Sequence, residues 1–296
     1  MYPLDYIDPV FRPPSEWKSL ILQVTNGCSW NKCTFCEMYT APQKRFKPQP
    51  LDQLERQLRT VVNHGDPVKR IFLADGDAMT LSMRRLVEIL ELIHRYCPEI
   101  QRISAYCLPR NLKNKSVEDL KRLRALGLSL VYVGCESGDN DVLRLVEKGE
   151  TYDSSLEALN KLKQANIKSS VMILNGLGGP ELSEQHALNS ARLMNAAQPE
   201  YLSVLAVMTS GGDERLAQPF EGRWRSLTQQ ELLVEMETLL SNLELEKTIF
   251  RSDHASNYLI LKGTLGKDKQ ALVSQVRQAI QQPEAVPLRQ EWQRGL

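Results

Sequence analysis

Residues Ile21–Cys36 read ILQVTNGCSWNKCTFC. The apolar, β-branched start predicts a strand, and Asn26-Gly27 predicts the turn that ends it. Cys28, Cys33 and Cys36 then follow within nine residues, spaced C-x4-C-x2-C. Three readings of such a cluster compete. A disulfide framework suits a short secreted scaffold better than a chain with room for a sizeable core. Structural zinc normally takes four ligands, and no fourth Cys or His lies close by; His64, beyond a helical stretch, is the nearest candidate. An iron–sulfur cluster held by thiolates is the third. With three protein ligands, one iron keeps an open coordination position and the cluster becomes a reagent.

The loop resembles the cluster motif of the radical S-adenosylmethionine (radical SAM) superfamily, commonly C-x3-C-x-φ-C with an aromatic at φ. Phe35 takes the φ position, and Met38-Tyr39 follow as they often do in that family. One departure stands out: Ser29 to Lys32 put four residues, not three, between the first two cysteines. A flexible loop absorbs one residue at small entropic cost.

The 296 residues are 42% hydrophobic and 25% charged, an ordinary balance for a globular protein. A formal net charge of +1 supplies no global field for nucleic acid or membrane. The start, MYPLDYIDPVFRPPSEW, lacks the basic and apolar regions of a signal peptide. No apolar run approaches the roughly 18 residues of a membrane helix. Six cysteines with three of them clustered suit a reducing compartment, so a cytoplasmic protein is expected.

Outward from the loop, residues 1–17 form a proline-rich arm before the first strand. The basic segment Lys44, Arg45 and Lys47 reads first as a solvated loop, and second as a docking site for an acidic electron donor. Strands are then expected over 69–74, 102–107, 128–134, 169–174 and 201–207. They alternate with helical stripes such as Leu51, Leu54, Leu58 and Val61, and Leu86, Ile89, Leu90 and Ile93. Ser116 is a predicted helix N-cap, and Thr228-Gln-Gln-Glu231 a predicted capping box. Strands alternating with helices imply parallel βαβ units. Six such units predict an α/β fold, a partial (β/α)6 TIM-like barrel over residues 18–210, which is also the core fold the resemblance implies. Residues 211–296, opening at Gly211-Gly212, are expected to form a helical C-terminal extension.

In such a layout the chemistry gathers at the carboxyl ends of the strands. The second strand ends in Asp75-Gly76-Asp77, which alone reads as a carboxylate pair for a hard cation or as polar residues at a strand end. The resemblance implies instead that Gly76 and Asp77 stand for a Gly-Glu pair holding the amino group of SAM, with Asp75 replacing an expected glycine. The fourth strand ends in Gly134-Cys135-Glu136-Ser137-Gly138. It resembles a G-x-E-S-G stretch that would turn Glu136 and Ser137 toward the cofactor; a plain acidic helix start is the alternative. The fifth ends in Asn175-Gly-Leu-Gly-Gly179, where the resemblance implies an Ile-x-Gly-x-x-Glu motif. Gly176 fits it, but Gly179 stands where glutamate is expected. Cys107 and Cys135 end the third and fourth strands and read as buried, inert thiols or as a reactive pair. The polar stretch Arg251 to Lys262 reads either as a solvated loop or as a lid over the open side of the barrel. Arg251 and His254 would then be catalytic residues, facing an anionic substrate and moving a proton.

The resemblance thus implies an enzyme with a 4Fe–4S cluster and S-adenosyl-L-methionine (SAM) as cofactors. It would cleave SAM reductively to a 5′-deoxyadenosyl radical that abstracts hydrogen from a small-molecule substrate. A one-electron donor such as flavodoxin or ferredoxin is the expected partner. The rival is a non-catalytic iron–sulfur or zinc protein with a structural or sensing role.

Overall fold

The structure is a computed structural model describing residues 4–65, 67–209 and 212–295. Gly211 and the boundary expected at 210/211 lie outside the described residues. Eight strands of three residues or more occur among them: β1 (Leu20–Gln23), β2 (Arg70–Ala74), β3 (Arg102–Cys107), β4 (Leu128–Glu136), β5 (Lys168–Asn175), β6 (Tyr201–Ala206), β7 (Ile249–Ser252) and β8 (Leu261–Thr264). The main helices are α1 (Leu51–Asn63), α2 (Met83–Tyr96), α3 (Val117–Ala125), α4 (Asn140–Leu145), α5 (Tyr152–Gln164), α6 (Gly179–Ala197), α7 (Gln229–Asn242) and α8 (Lys269–Gln281). The chain gathers into two compact units.

The first unit comprises residues up to 31, 36–133 and 160–169. Its strands pair in the order β1, β2, β3, β4, all parallel, with Leu22 opposite Leu73 and Ala105 opposite Val131. In β2, Ile71, Phe72, Leu73 and Ala74 are all buried, the continuous apolar run expected of a parallel strand covered on both faces. Burying Leu54 and Leu58 of α1 completely contributes about 1.5–3 kcal/mol each. Ser116 caps α3 as expected, in a reciprocal box with Asp119. Helix α2 stops at Tyr96, before Cys97 and Pro98, because proline cannot continue a helix. The N-terminal arm is tied down by Tyr6, whose hydroxyl donates to the Ile21 carbonyl. Glu16 is buried, and it accepts from Tyr132 at 2.6 Å and from Arg102 at 2.9 Å.

The second unit comprises residues 32–35, 134–159 and 170 onward. Strands β5, β6 and β7 are parallel, and β8 runs antiparallel to β7. Residues 249–252 and 261–264 were expected as part of a lid and a helical tail, yet they form strands joined to the sheet. Their runs are only four residues long, so the alternation in Ile249-Phe250-Arg251-Ser252 is too short to show against the polar residues beside it. Helix α7 opens with Thr228 accepting the Glu231 N–H, while the Glu231 carboxylate accepts the Thr228 N–H. Its Leu232 packs on Ala206 at the end of β6.

Candidate cluster and cofactor site

In the first unit the cysteine loop is built onto the end of β2. Gly27 has φ +68°, and a Cβ there would meet the Lys44 carbonyl oxygen at 1.9 Å, so only glycine fits. A Cβ at Gly76 would lie 2.8 Å from the Tyr39 ring and 3.0 Å from the Cys28 Cβ. Loop and strand end therefore meet with no room for a side chain. Asp77 is buried; its Oδ1 accepts the Ser29 N–H at 3.0 Å, and its Oδ2 accepts the Ser29 hydroxyl. Burial pushes the Asp77 carboxyl above its usual range, against the lowering effect of the bonds from Ser29 and Asn111. Trp30, on the same loop, lies 3.7 Å beneath the Arg110 guanidinium. Asp77 thus grips the residue that follows Cys28.

Lys44 departs from the solvated reading. It is fully buried, paired with Asp75, and its ammonium also donates to the Ile7 carbonyl at 2.8 Å. Asp75 in turn accepts the Gly27 N–H and the Gln23 amide, both at 3.3 Å. A charge run in sequence cannot show that one of its members faces a buried carboxylate 31 residues on. Protein donors thus engage Oδ2 of Asp75 and both oxygens of Asp77, while Asp75 Oδ1 is buried with no hydrogen-bond partner. Only Arg45 and Lys47 of that segment are exposed.

In the second unit, residues 32–35 are stitched in by the Thr34 N–H to Val146 O at 3.0 Å and by Arg215 to Cys33 O at 3.0 Å. Lys148, buried, stands 3.1 Å from Glu136 Oε1 and 5.8 Å from the centre of the Phe35 ring. Burial opposes the Lys148 charge, but Glu136 and then the Cys33 sulfur more than offset it and push its pKa up. Glu136 Oε2 is buried with no hydrogen-bond partner. Cys135 is fully buried, and burial, with Glu136 second, pushes its thiol up to about 12, so it is an inert neutral group.

Ser137 is also buried, and its hydroxyl meets His186 Nδ1 at 2.8 Å while accepting the Asp139 N–H at 2.9 Å. It is oriented toward the protein. Gly176, at φ +86°, donates its N–H to Glu235 Oε1 at 2.6 Å. His186 Nε2 lies 3.0 Å from the Leu174 carbonyl and 3.6 Å from Glu235 Oε1. Burial pushes the Glu235 carboxyl up, opposed by His186 and the donors from Ser183 and Gly176.

Lys148, His186 and Glu235 are the residues that sequence reading missed. Glu235 carried a signal: it sits on the apolar stripe of α7 among Leu232, Met236 and Leu239, where a charge needs a partner. Arg251 is exposed on β7, where its guanidinium donates to the Phe250 carbonyl at 3.3 Å, and Lys262 pairs with Asp253 at 2.9 Å. His254 follows β7; its Nδ1 accepts the Ser256 N–H at 3.2 Å. Burial and then Arg289 lower the His254 pKa. No hydrogen bond or ion pair joins Arg251 to His254 among the described residues.

Three cysteines on one loop are the donor type that a thiolate-held cluster takes. None of the six cysteines is in a disulfide; Cys28 and Cys36 are half-buried and Cys33 is buried. Among the described residues no three His, Cys, Asp or Glu side chains converge tightly enough to hold a single metal ion. His64 is the C-cap that follows α1.

Residues 22–194 match the family described as the radical SAM superfamily. The chain belongs to the radical SAM superfamily. This radical SAM protein is 27% identical over 187 residues to the heme chaperone HemW of Bacillus subtilis, covering 60% of this chain and 47% of HemW. Its fold is similar to that of coproporphyrinogen III oxidase (HemN) from Escherichia coli, described as a radical SAM enzyme. That likeness has a TM-score of 0.55 at 18% identity, covering 75% of this chain and 52% of that one. It is also similar to the radical SAM methyltransferase TsrM from Kitasatospora setae, with cobalamin and a 4Fe–4S cluster bound. There the TM-score is 0.52 at 19% identity, over 64% of this chain and 34% of that one. The chain spans about half or less of the length of these relatives. The α/β architecture expected from the alternating strands and helices is thus the fold found, and no described helix is long and apolar enough to cross a membrane.

Proposed function

We propose that this radical SAM protein is an enzyme that holds a 4Fe–4S cluster on Cys28, Cys33 and Cys36 and binds SAM, in order to take a hydrogen atom from a small-molecule substrate. The observation that carries the reading is the cysteine loop packed on Gly76 and gripped by Asp77, within a span that matches the family. When bound, the cluster and SAM supply a one-electron cleavage whose product abstracts hydrogen.

The chain's own residues bind and orient. Asp77 keeps Cys28 in place through Ser29, and Gly76 lets the strand end approach the loop. Glu136 has one buried oxygen free to accept from a cationic ligand group. The Lys148 ammonium, beside Phe35, sets a positive charge near the Cys33 sulfur. Gly176, packed against Leu232, gives the turn at the end of β5, and Ser137 holds the end of β4 through His186. For substrate, exposed Arg251 suits an anionic group. His254, its pKa lowered, is a neutral imidazole able to accept a proton near pH 7. Exposed Arg45 and Lys47 suit an acidic electron donor such as flavodoxin or ferredoxin.

The test is anaerobic reconstitution with iron and sulfide, followed by reduction and addition of SAM. We expect a brown protein that releases 5′-deoxyadenosine and methionine, and a Cys36→Ala variant that loses most of its iron. A colourless protein carrying one zinc and cleaving no SAM would falsify the reading.

A further inference from the structure

We infer that Glu235 and His186 are positioning residues for SAM binding: together they clamp the strand ends of β4 and β5 into one rigid unit. The inference rests on the proposal that SAM is bound at these strand ends. It goes beyond that proposal because Glu235 lies on α7, outside the span 22–194 that matches the family. The C-terminal segment would then complete the cofactor site instead of merely covering it.

Four buried side chains form the clamp: Ser137, His186, Ser190 and Glu235. The Gly138 N–H donates to Ser190 Oγ at 2.9 Å, which fixes the turn after β4 to α6. One hydrogen-bond assignment satisfies the rest. The Ser137 hydroxyl accepts from Asp139 and donates to His186 Nδ1. The His186 proton is then on Nε2 and points at the Leu174 carbonyl, the residue before Asn175-Gly176. With Nδ1 protonated instead, the Ser137 proton would have no acceptor among these groups.

Glu235 closes the other side. Its Oε1 accepts the Gly176 N–H and its Oε2 accepts the Ser183 hydroxyl. The Asn175 amide donates to the Leu232 carbonyl at 2.9 Å, one turn earlier on α7. Gly176 itself cannot carry a side chain, since a Cβ would lie 2.9 Å from Leu232 Cδ2. Helix α7 thus reads the end of β5 through two hydrogen bonds at adjacent residues. A loop held this way pays its ordering entropy on folding, so less is lost when a ligand binds. Position 179, where a glutamate was expected from the motif, is glycine; the carboxylate reaching this turn comes from residue 235.

The experiment compares wild type with Glu235→Ala, Glu235→Gln and His186→Phe, each reconstituted with its cluster. SAM affinity is measured by equilibrium dialysis, iron is assayed, and amide hydrogen exchange is followed at Gly176. Losing a partner of a buried, charge-assisted bond should weaken SAM about tenfold or more in the Ala and Phe variants. Iron content should stay unchanged and Gly176 should exchange faster in Glu235→Ala. Glu235→Gln keeps an oxygen for the Gly176 N–H and should bind SAM within about threefold of wild type. If Glu235→Ala does not fold, Ser183→Ala takes its place, with the same direction of change expected. Wild-type SAM affinity in Glu235→Ala or its substitute, or a Gln variant no better than Ala, overturns the inference while leaving the proposed function intact. Wild-type protein that holds iron but binds no SAM sinks both.

Discussion

Each unit holds a buried ion pair beside its own part of the cysteine loop, and neither could be read from the residues as a string. Lys44 with Asp75 braces the turn at Gly27, and Lys148 with Glu136 sits against Cys33 and Phe35. A buried pair is costly to break because the survivor is left charged and desolvated. Lys148→Met is therefore expected to lose about 3–5 kcal/mol of unfolding free energy in urea. Adding Glu136→Gln should recover part of it, and equal stability of single and double variants would remove the pair from the account. Glu16 gives a pH signature. Burial would raise its pKa, but bonds from Ser19 and Tyr132 and the Arg102 charge hold it below its ordinary 4.5. Its stabilisation is present above 4.5 and lost as pH falls through the lower folded value. Glu16→Gln should flatten the acid limb of a melting-temperature profile; an unchanged limb would assign acid unfolding to other carboxylates.

At the scale of elements, the helix caps were legible and the short strands were not. Ser116 and Thr228 carry local chemistry that acts over three residues, which a sequence displays directly. Thr228→Ala should cost about 1 kcal/mol in urea unfolding, with faster amide exchange in the first turn of α7. Glu231 of the same box is held at about 2, first by Arg225 and then by the Thr228 N–H. The contribution of the box is thus expected to fade only as pH falls from 4.5 toward 2. No loss on Thr228→Ala would mean that packing of Leu232 and Met236 alone sets the start of the helix. Strands β7 and β8 escaped because four residues show too little period; β7 pairs with β6, more than 40 positions away, and β8 pairs in turn with β7.

Across the whole chain, the second unit depends on its last 80 or so residues. Strand β7 covers the edge of β6, with Tyr201 opposite Ile249 and Ser203 opposite Arg251. A chain ended after residue 209 would bare that edge and remove the partners of Asn175 and Gly176. We expect such a chain to aggregate on gel filtration, even though it retains the entire span 22–194 that matches the family. A soluble monomer with normal iron uptake would show that the matched span folds and loads without α7, β7 and β8.

The spacing of Cys28, Cys33 and Cys36, the glycines at 27 and 76 and the alternation of strands and helices determined the family and the architecture. These are local patterns, set by turn sterics, by ligand spacing within one loop and by periods shorter than one element. Tertiary structure alone decided that Lys44 is buried, that Ser137 turns to His186, and that Gly176 is held by Glu235. Each of those contacts joins residues 31 or more positions apart. Burial and pairing at that range depend on which faces the folded backbone brings together, which no local pattern encodes.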